Sequence, residues 1–169
     1  ASWFLNIRII RDREQKKLWL CQDSYIESMA HKYNLVTERK IGSPLSIEPL
    51  VPYDGVASPQ QIHGFQAKVG SAQYATTITR VDAAKATSKV AEFLTNPGPK
   101  HIDAVDRIIQ YLYETRFWAI EYGIRTPNKQ PRNRDTTLTM AAKSVEFVSD
   151  ASFGDHKDRK SSEGYICKL

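Results

Sequence analysis

The chain has 169 residues, 41% hydrophobic and 25% charged, with 24 Lys plus Arg against 19 Asp plus Glu and a formal net charge of +5. That is the composition of a soluble globular protein, enough for one ordinary domain or two small pieces, and the charge favours a polyanionic partner only weakly. No apolar run approaches the ~20 residues of a membrane-spanning helix, the N-terminal Ala1-Ser2-Trp3-Phe4-Leu5 lacks the features of a secretory signal, and two isolated cysteines, Cys21 and Cys167, make neither a disulfide framework nor a zinc site.

Residues 3–21 read as a β-hairpin. Trp3, Leu5, Ile7 and Ile9 alternate with Phe4, Asn6, Arg8 and Ile10 at the period of two that a strand needs. Residues 11–17 form the charged turn, and Leu18 to Cys21 the returning strand. An amphipathic helix follows over about 23–33, with Tyr25, Ile26, Met29, Ala30 and Tyr33 on one face and Asn34 as a left-handed terminator. Residues 42–59 hold Pro44, Pro49, Pro52 and Pro59 and read as a connector.

Ser58-Pro59-Gln60-Gln61 reads as the start of a second helix. Ser58 is the cap, Pro59 the first helical residue and Gln61 the closing member of a capping box. This helix runs to about Ile78 and packs through Ile62, Phe65, Val69, Ala72 and Tyr74. Thr79-Arg80-Val81-Asp82 offers another capping box for a third helix carrying Ala83, Ala86, Val90, Ala91 and Leu94, which stops at Asn96-Pro97-Gly98. The fourth helix starts near Pro99. Its stripe of Ile102, Val105, Ile108, Ile109 and Leu112 is the clearest helical pattern in the chain. Residues 118–124 read as a short strand and 125–143 as a polar, basic linker. Residues 145–148 and 164–169 read as two more strands around a charged turn.

These elements carry words that resemble, in order, the polyprotein of copia-type LTR retrotransposons. Phe4-Leu5-Asn6-Ile7-Arg8-Ile9 resembles FLGIxI, the hairpin that grips the primer strand, and Gln22-Asp23-Ser24-Tyr25-Ile26 resembles SQxxYI. Ser43-Pro44-Leu45 resembles TPL, and Val69-Gly70-Ser71-Ala72-Gln73-Tyr74 resembles VGSLxYL. Thr79-Arg80-Val81-Asp82 resembles TRPDI, Asn96 to His101 resembles NPGxxH, and Ile109 to Thr115 resembles RYLKGT. Ser149 to Asp155 with Asp158 to Tyr165 resembles SDADWAGD…DRKSTSGY. The chain departs from the pattern where Asn6 stands for a glycine and Val81 for a proline.

The resemblance implies the C-terminal part of a reverse transcriptase running into the start of an RNase H domain. The implied fold is α+β. Residues 1–41 form a primer-grip-like hairpin and first helix, 42–58 a Pro-rich connector, and 59–124 a helical thumb-like region. Residues 125–144 form a basic linker and 145–169 an incomplete RNase H-like hairpin. Polymerisation in this family needs a pair of adjacent aspartates holding two Mg²⁺ ions. The chain contains no Asp-Asp pair, so no polymerase activity is expected of it alone. Asp150 resembles the first of four RNase H acids, which makes it a catalytic and metal-ligand position only within a complete domain. The alternative is a strand-end residue opening a turn, and Asp155 and Asp158 read as turn and surface residues. Mg²⁺ is thus expected in the complete enzyme and no cofactor in this segment.

The resemblance further implies sequence-independent contact with an RNA/DNA hybrid or duplex, the other partner being the rest of the polyprotein. Candidate contacts are Asn6 in the hairpin and Lys68, Gln73, Arg80 and Lys85 on the helices. The alternative for the helical residues is ordinary solvated surface. Trp3, Trp19 and Trp118 can stack on bases or pack within the hairpin and core. The cysteines fit buried thiols in a reducing, intracellular compartment. A non-catalytic helical interaction module, or a degenerate remnant, is the competing reading. Because residues 145–169 alone leave Phe147, Tyr165 and Ile166 without a full core, amide exchange there is expected to be faster than over 100–113. Equal protection would overturn that expectation.

Overall fold

The computed structural model describes residues 2–38, 40–123, 146–152 and 162–168. It is an α+β chain of two compact units, 1–127 and 128–169.

In the first unit, β1 (Trp3–Phe4), β2 (Ile7–Asp12), β3 (Lys17–Cys21) and β4 (Ile120–Gly123) form an antiparallel sheet in that order. The expected single strand over 3–10 is broken. Leu5 and Asn6 have φ of 47° and 60°, and Phe4 pairs directly with Ile7 around them. Two positive-φ residues make the type I′ connection that suits the twist of a two-residue hairpin loop. The outgoing strand then runs to Asp12, so the charged turn is shorter than its composition suggests. The strand expected near 118–124 is present as β4, and it completes the sheet beside β3 through Leu20↔Ile120 and Leu18↔Tyr122.

The helices are α1 (Asp23–Lys32), α2 (Pro59–Ile78), α3 (Ala84–Ala91) and α4 (Pro99–Glu114), with a 3₁₀ turn at Val81–Ala83 before α3. Asn34, at φ 56°, terminates α1 as its type suggests. Residues 42–57 contain no helix or strand. They are strapped to the start of α4. Asn96 Oδ1 accepts from the Ala57 N–H at 2.9 Å, and Asn96 Nδ2 donates to the Tyr53 and Gly55 carbonyls. His101 Nδ1 accepts from the Gly98 N–H, leaving Nε2 to donate to the Val51 carbonyl at 2.9 Å.

The core is a helical one. Phe65, Val69, Ala72, Val90, Val105, Ile108, Ile109 and Leu112 are buried together with Ile26, Met29 and Ala30 of α1. Of the packing residues expected on α2, Ile62 and Tyr74 are only half-buried, and Ala75 and Thr76, which were not expected, are buried.

The capping box at Thr79 and Asp82 does not form. The Thr79 hydroxyl instead donates to the buried Gln22 side chain, and Asp82 turns to Arg80. Two buried polar groups needed partners, and that need outweighs a local cap.

In the second unit, β5 (Glu146–Ser152) pairs antiparallel with β6 (Ser162–Lys168). Both strands are longer than the sequence pattern suggested. The linker over 125–144, the turn bearing Asp155 and Asp158, and the packing of Phe147, Tyr165 and Ile166 lie outside the described residues.

The capping box at Ser58 is present in full: Gln61 N–H donates to Ser58 Oγ at 3.3 Å and Ser58 N–H to Gln61 Oε1 at 2.9 Å. Ser58→Ala is therefore expected to cost about 1 kcal/mol in chemical denaturation, with the fold retained. An unchanged midpoint would mean that the start of α2 adds nothing to global stability.

Candidate nucleic-acid interface

Asn6 occupies the second position of the β1–β2 turn. At φ 60° the backbone is one that glycine adopts freely and that Asn tolerates best among the other residues. The departure from the FLGIxI pattern is thus conformationally conservative. Leu5, at φ 47°, has no such tolerance and costs about 1–2 kcal/mol in that region. One bond opposes the strain: the Tyr74 hydroxyl on α2 donates to the Leu5 carbonyl at 2.7 Å. Phe4 and Leu5 project from this turn, 62% and 66% exposed.

Gln73, the neighbour of Tyr74, is exposed and lines a groove between α2 and α3. The groove holds about 190 Å³ and is walled by Thr76, Thr77, Ala84, Thr87, Ser88 and Ala91 as well. Its side chains are small and mostly hydroxylated. Three of the threonines donate to carbonyls of their own helices: Thr76 and Thr77 to Gln73, and Thr87 to Ala83. Lys85 follows the wall residue Ala84 and is exposed. Asn6 thus lies at the turn that Tyr74 ties to α2, and Gln73 at the α2–α3 groove, with Lys85 next in sequence to its wall.

Arg80 and Lys68 are engaged inside the protein. Arg80 is 1% exposed. Its Nε and one Nη2 hydrogen reach Asp82, at 3.0 and 2.7 Å, and the other Nη2 hydrogen reaches Thr115 Oγ1. Nη1 donates to the Leu112 and Thr115 carbonyls at 3.3 and 3.2 Å. All five guanidinium donors are matched. The group also lies 5.6 Å from the rings of Tyr111 and Trp118. Lys68, with 19% of its side chain exposed, pairs with Asp106 Oδ1 at 2.5 Å. Five residues along a helix, it lies about 140° around the axis from Gln73, so α2 does not present both on one face. Sequence reasoning chose these two by charge. Their acids and carbonyls, 32–38 residues away for α4, carry no local signal.

Tyr74 was legible only as a packing residue, and Asp82 only as a cap. The tryptophans divide in the same way. Trp19 donates from Nε1 to Glu121 across the β3–β4 pair at 2.8 Å, whereas Trp3 and Trp118 are exposed beside arginines. Cys21 is buried with its thiol toward the Arg116 carbonyl at 3.3 Å, and burial raises its pKa above the ordinary thiol value.

Asp150 lies inside β5, its backbone paired with Gly164, rather than at a strand end. Its side chain lies outside the described residues. Among the described residues no group of three His, Cys, Asp or Glu side chains is placed to hold a metal ion, and one carboxylate does not fit a two-metal site. No helix among them is long and apolar enough to cross a membrane.

The chain is 31% identical over 173 residues to the retrovirus-related Pol polyprotein from transposon TNT 1-94 of Nicotiana tabacum, covering 98% of this chain and 12% of the relative. It is 31% identical over 156 residues to the corresponding polyprotein from transposon RE1 of Arabidopsis thaliana, covering 90% of this chain and 9% of the relative. It is also 31% identical over 106 residues to secreted RxLR effector protein 161 of Plasmopara viticola, 62% of this chain and 64% of that protein. The chain thus spans about a tenth of the length of the polyproteins it matches. These similarities support a retrotransposon polyprotein fragment. No protein-family model matches, and no solved structure matches.

Burial pushes the Asp82 carboxyl up, but its bonds from Arg80 and Tyr111 and the Arg80 charge outweigh this and hold it below the usual carboxylate value. A depressed folded-state pKa gives stability that is full above the unfolded value, about 3.9, and lost as pH falls through the folded one. Asp82→Asn is expected to melt below the wild type at pH 5–7, with the gap narrowing below about pH 4. A constant gap down to about pH 2 would show that the charge contributes nothing.

Proposed function

We propose that the chain is the part of a retrotransposon reverse transcriptase that follows its catalytic aspartates and runs into the start of its RNase H domain, and that it grips an RNA/DNA hybrid without sequence preference. The observation that carries this reading is the similarity to a Pol polyprotein across 98% of the chain. The turn at Asn6 and the α2–α3 groove support it. A polymerase must accept any sequence, and Gln73 and Lys85 can donate to phosphates, while the threonine hydroxyls, their protons given to Gln73 and Ala83, can accept from sugar hydroxyls.

The segment does not polymerise alone, because it has no adjacent aspartates. Asp150 is one RNase H acid awaiting the others. Mg²⁺ belongs to the complete enzyme, and the remaining polyprotein is the second partner. The setting is intracellular and reducing, consistent with a buried, unactivated Cys21. A second reading, an interaction module with no nucleic-acid role, draws on the helical core, which serves such a module equally well.

Fluorescence anisotropy with a short RNA/DNA hybrid separates the two. Binding is expected, weakening as salt rises. Lys85→Ala is expected to lower the log–log salt slope by about 1, whereas Lys68, mostly buried against Asp106, tolerates Ala with a smaller loss. No binding by the folded chain would move the assignment to the interaction module.

A further inference from the structure

We infer that Tyr74 is a positioning residue that locks the β1–β2 turn against α2 and so holds Asn6 in place for contact with nucleic acid; this rests on the hybrid-binding function proposed above. The turn carries two non-glycine residues at positive φ, and such strain persists only where the surroundings impose it. The Tyr74 hydroxyl supplies that imposition through its 2.7 Å bond to the Leu5 carbonyl, the peptide group that Asn6 shares.

Tyr74 is itself held. Its ring meets Tyr25 of α1 edge-on, with centroids 4.9 Å apart, and the Tyr25 hydroxyl donates back to the Ser71 carbonyl of α2 at 3.0 Å. Ser71 is held in turn by Tyr33 at 2.9 Å. The hydroxyl of Tyr74 thus reaches the turn from a braced position, not from a freely rotating side chain. Tyr25 and Tyr33 pack against the helical core, whereas Tyr74 is not among the residues of that core, so its hydroxyl serves the turn. A bond that holds a strained, exposed turn fits an interface better than a stability element.

The test is a double-mutant cycle on hybrid affinity with Tyr74→Phe and Asn6→Gly, the latter removing the side chain while keeping the φ of 60° open. Tyr74→Phe keeps the ring on Tyr25 and removes only the hydroxyl. The variant is expected to bind the hybrid several-fold more weakly, at an unchanged melting temperature and with faster amide exchange at Asn6 and Ile7. Asn6→Gly is expected to weaken the wild type but to add little when combined with Tyr74→Phe, a non-additivity that two independent losses would not produce. Full-strength binding by Tyr74→Phe, or additive losses, would overturn the inference while leaving the proposed function intact. A folded wild-type chain that does not bind would overturn both.

Discussion

The buried guanidinium of Arg80 sets the arrangement of the first unit. Removing such a group from water costs several kcal/mol unless every donor is satisfied. Here Asp82 takes two of the five hydrogens, and the last turn of α4 and Thr115 take the other three. A cation at a helix C-terminus also opposes the dipole and satisfies carbonyls that the helix leaves open. One side chain therefore closes α4, ties it to the turn that follows α2 and fixes the chain that leaves α4. That chain reaches β4 within a few residues, so the clamp helps to determine where the fourth strand meets the sheet. Tyr111 reinforces it by donating to Asp82 at 2.9 Å.

The same clamp explains why the sequence could be read well in some places and badly in others. Helices whose faces repeat every three to four residues, above all α4, were legible because burial is written in their own spacing. The Ser58 box was legible because all its partners lie within four residues. Thr79 and Asp82 obey the same local rule, yet the distant Gln22 claims Thr79, and Asp82 goes to Arg80, whose burial against the end of α4 decides its place. The break at Leu5 and Asn6 was hidden for a different reason. Leucine favours neither turn nor positive φ, so the apolar alternation ran through it unmarked. The pairing of β4 with β3 joins residues about a hundred positions apart and had no signal at all.

Candidate contact residues followed a similar division. Residue type marks a side chain able to meet a phosphate, but not whether an internal acid already holds it. Asp106 lies 38 residues from Lys68. Of the words that suggested the family, the one around Asn96 and His101 serves to anchor the connector, and Arg80 serves the clamp. Those words therefore report architecture as much as contact with a ligand.

The sheet stands apart from this helical core. One of its faces carries Ile7, Ile9, Leu18, Leu20 and Ile120 by register, and none of them belongs to the buried cluster. What joins the hairpin to the helices is instead a set of polar ties. Arg8 pairs with Asp23 at 2.7 Å, the Cys21 thiol meets the Arg116 carbonyl, and Tyr74 holds Leu5. A hydrogen bond contributes a net of about 1 kcal/mol, the same order as the strain at a left-handed leucine. The turn is therefore poised between two terms of similar size, whereas the core beneath it rests on many. Its geometry is decided by single bonds, and that is why the hydroxyl of one tyrosine governs where Asn6 stands.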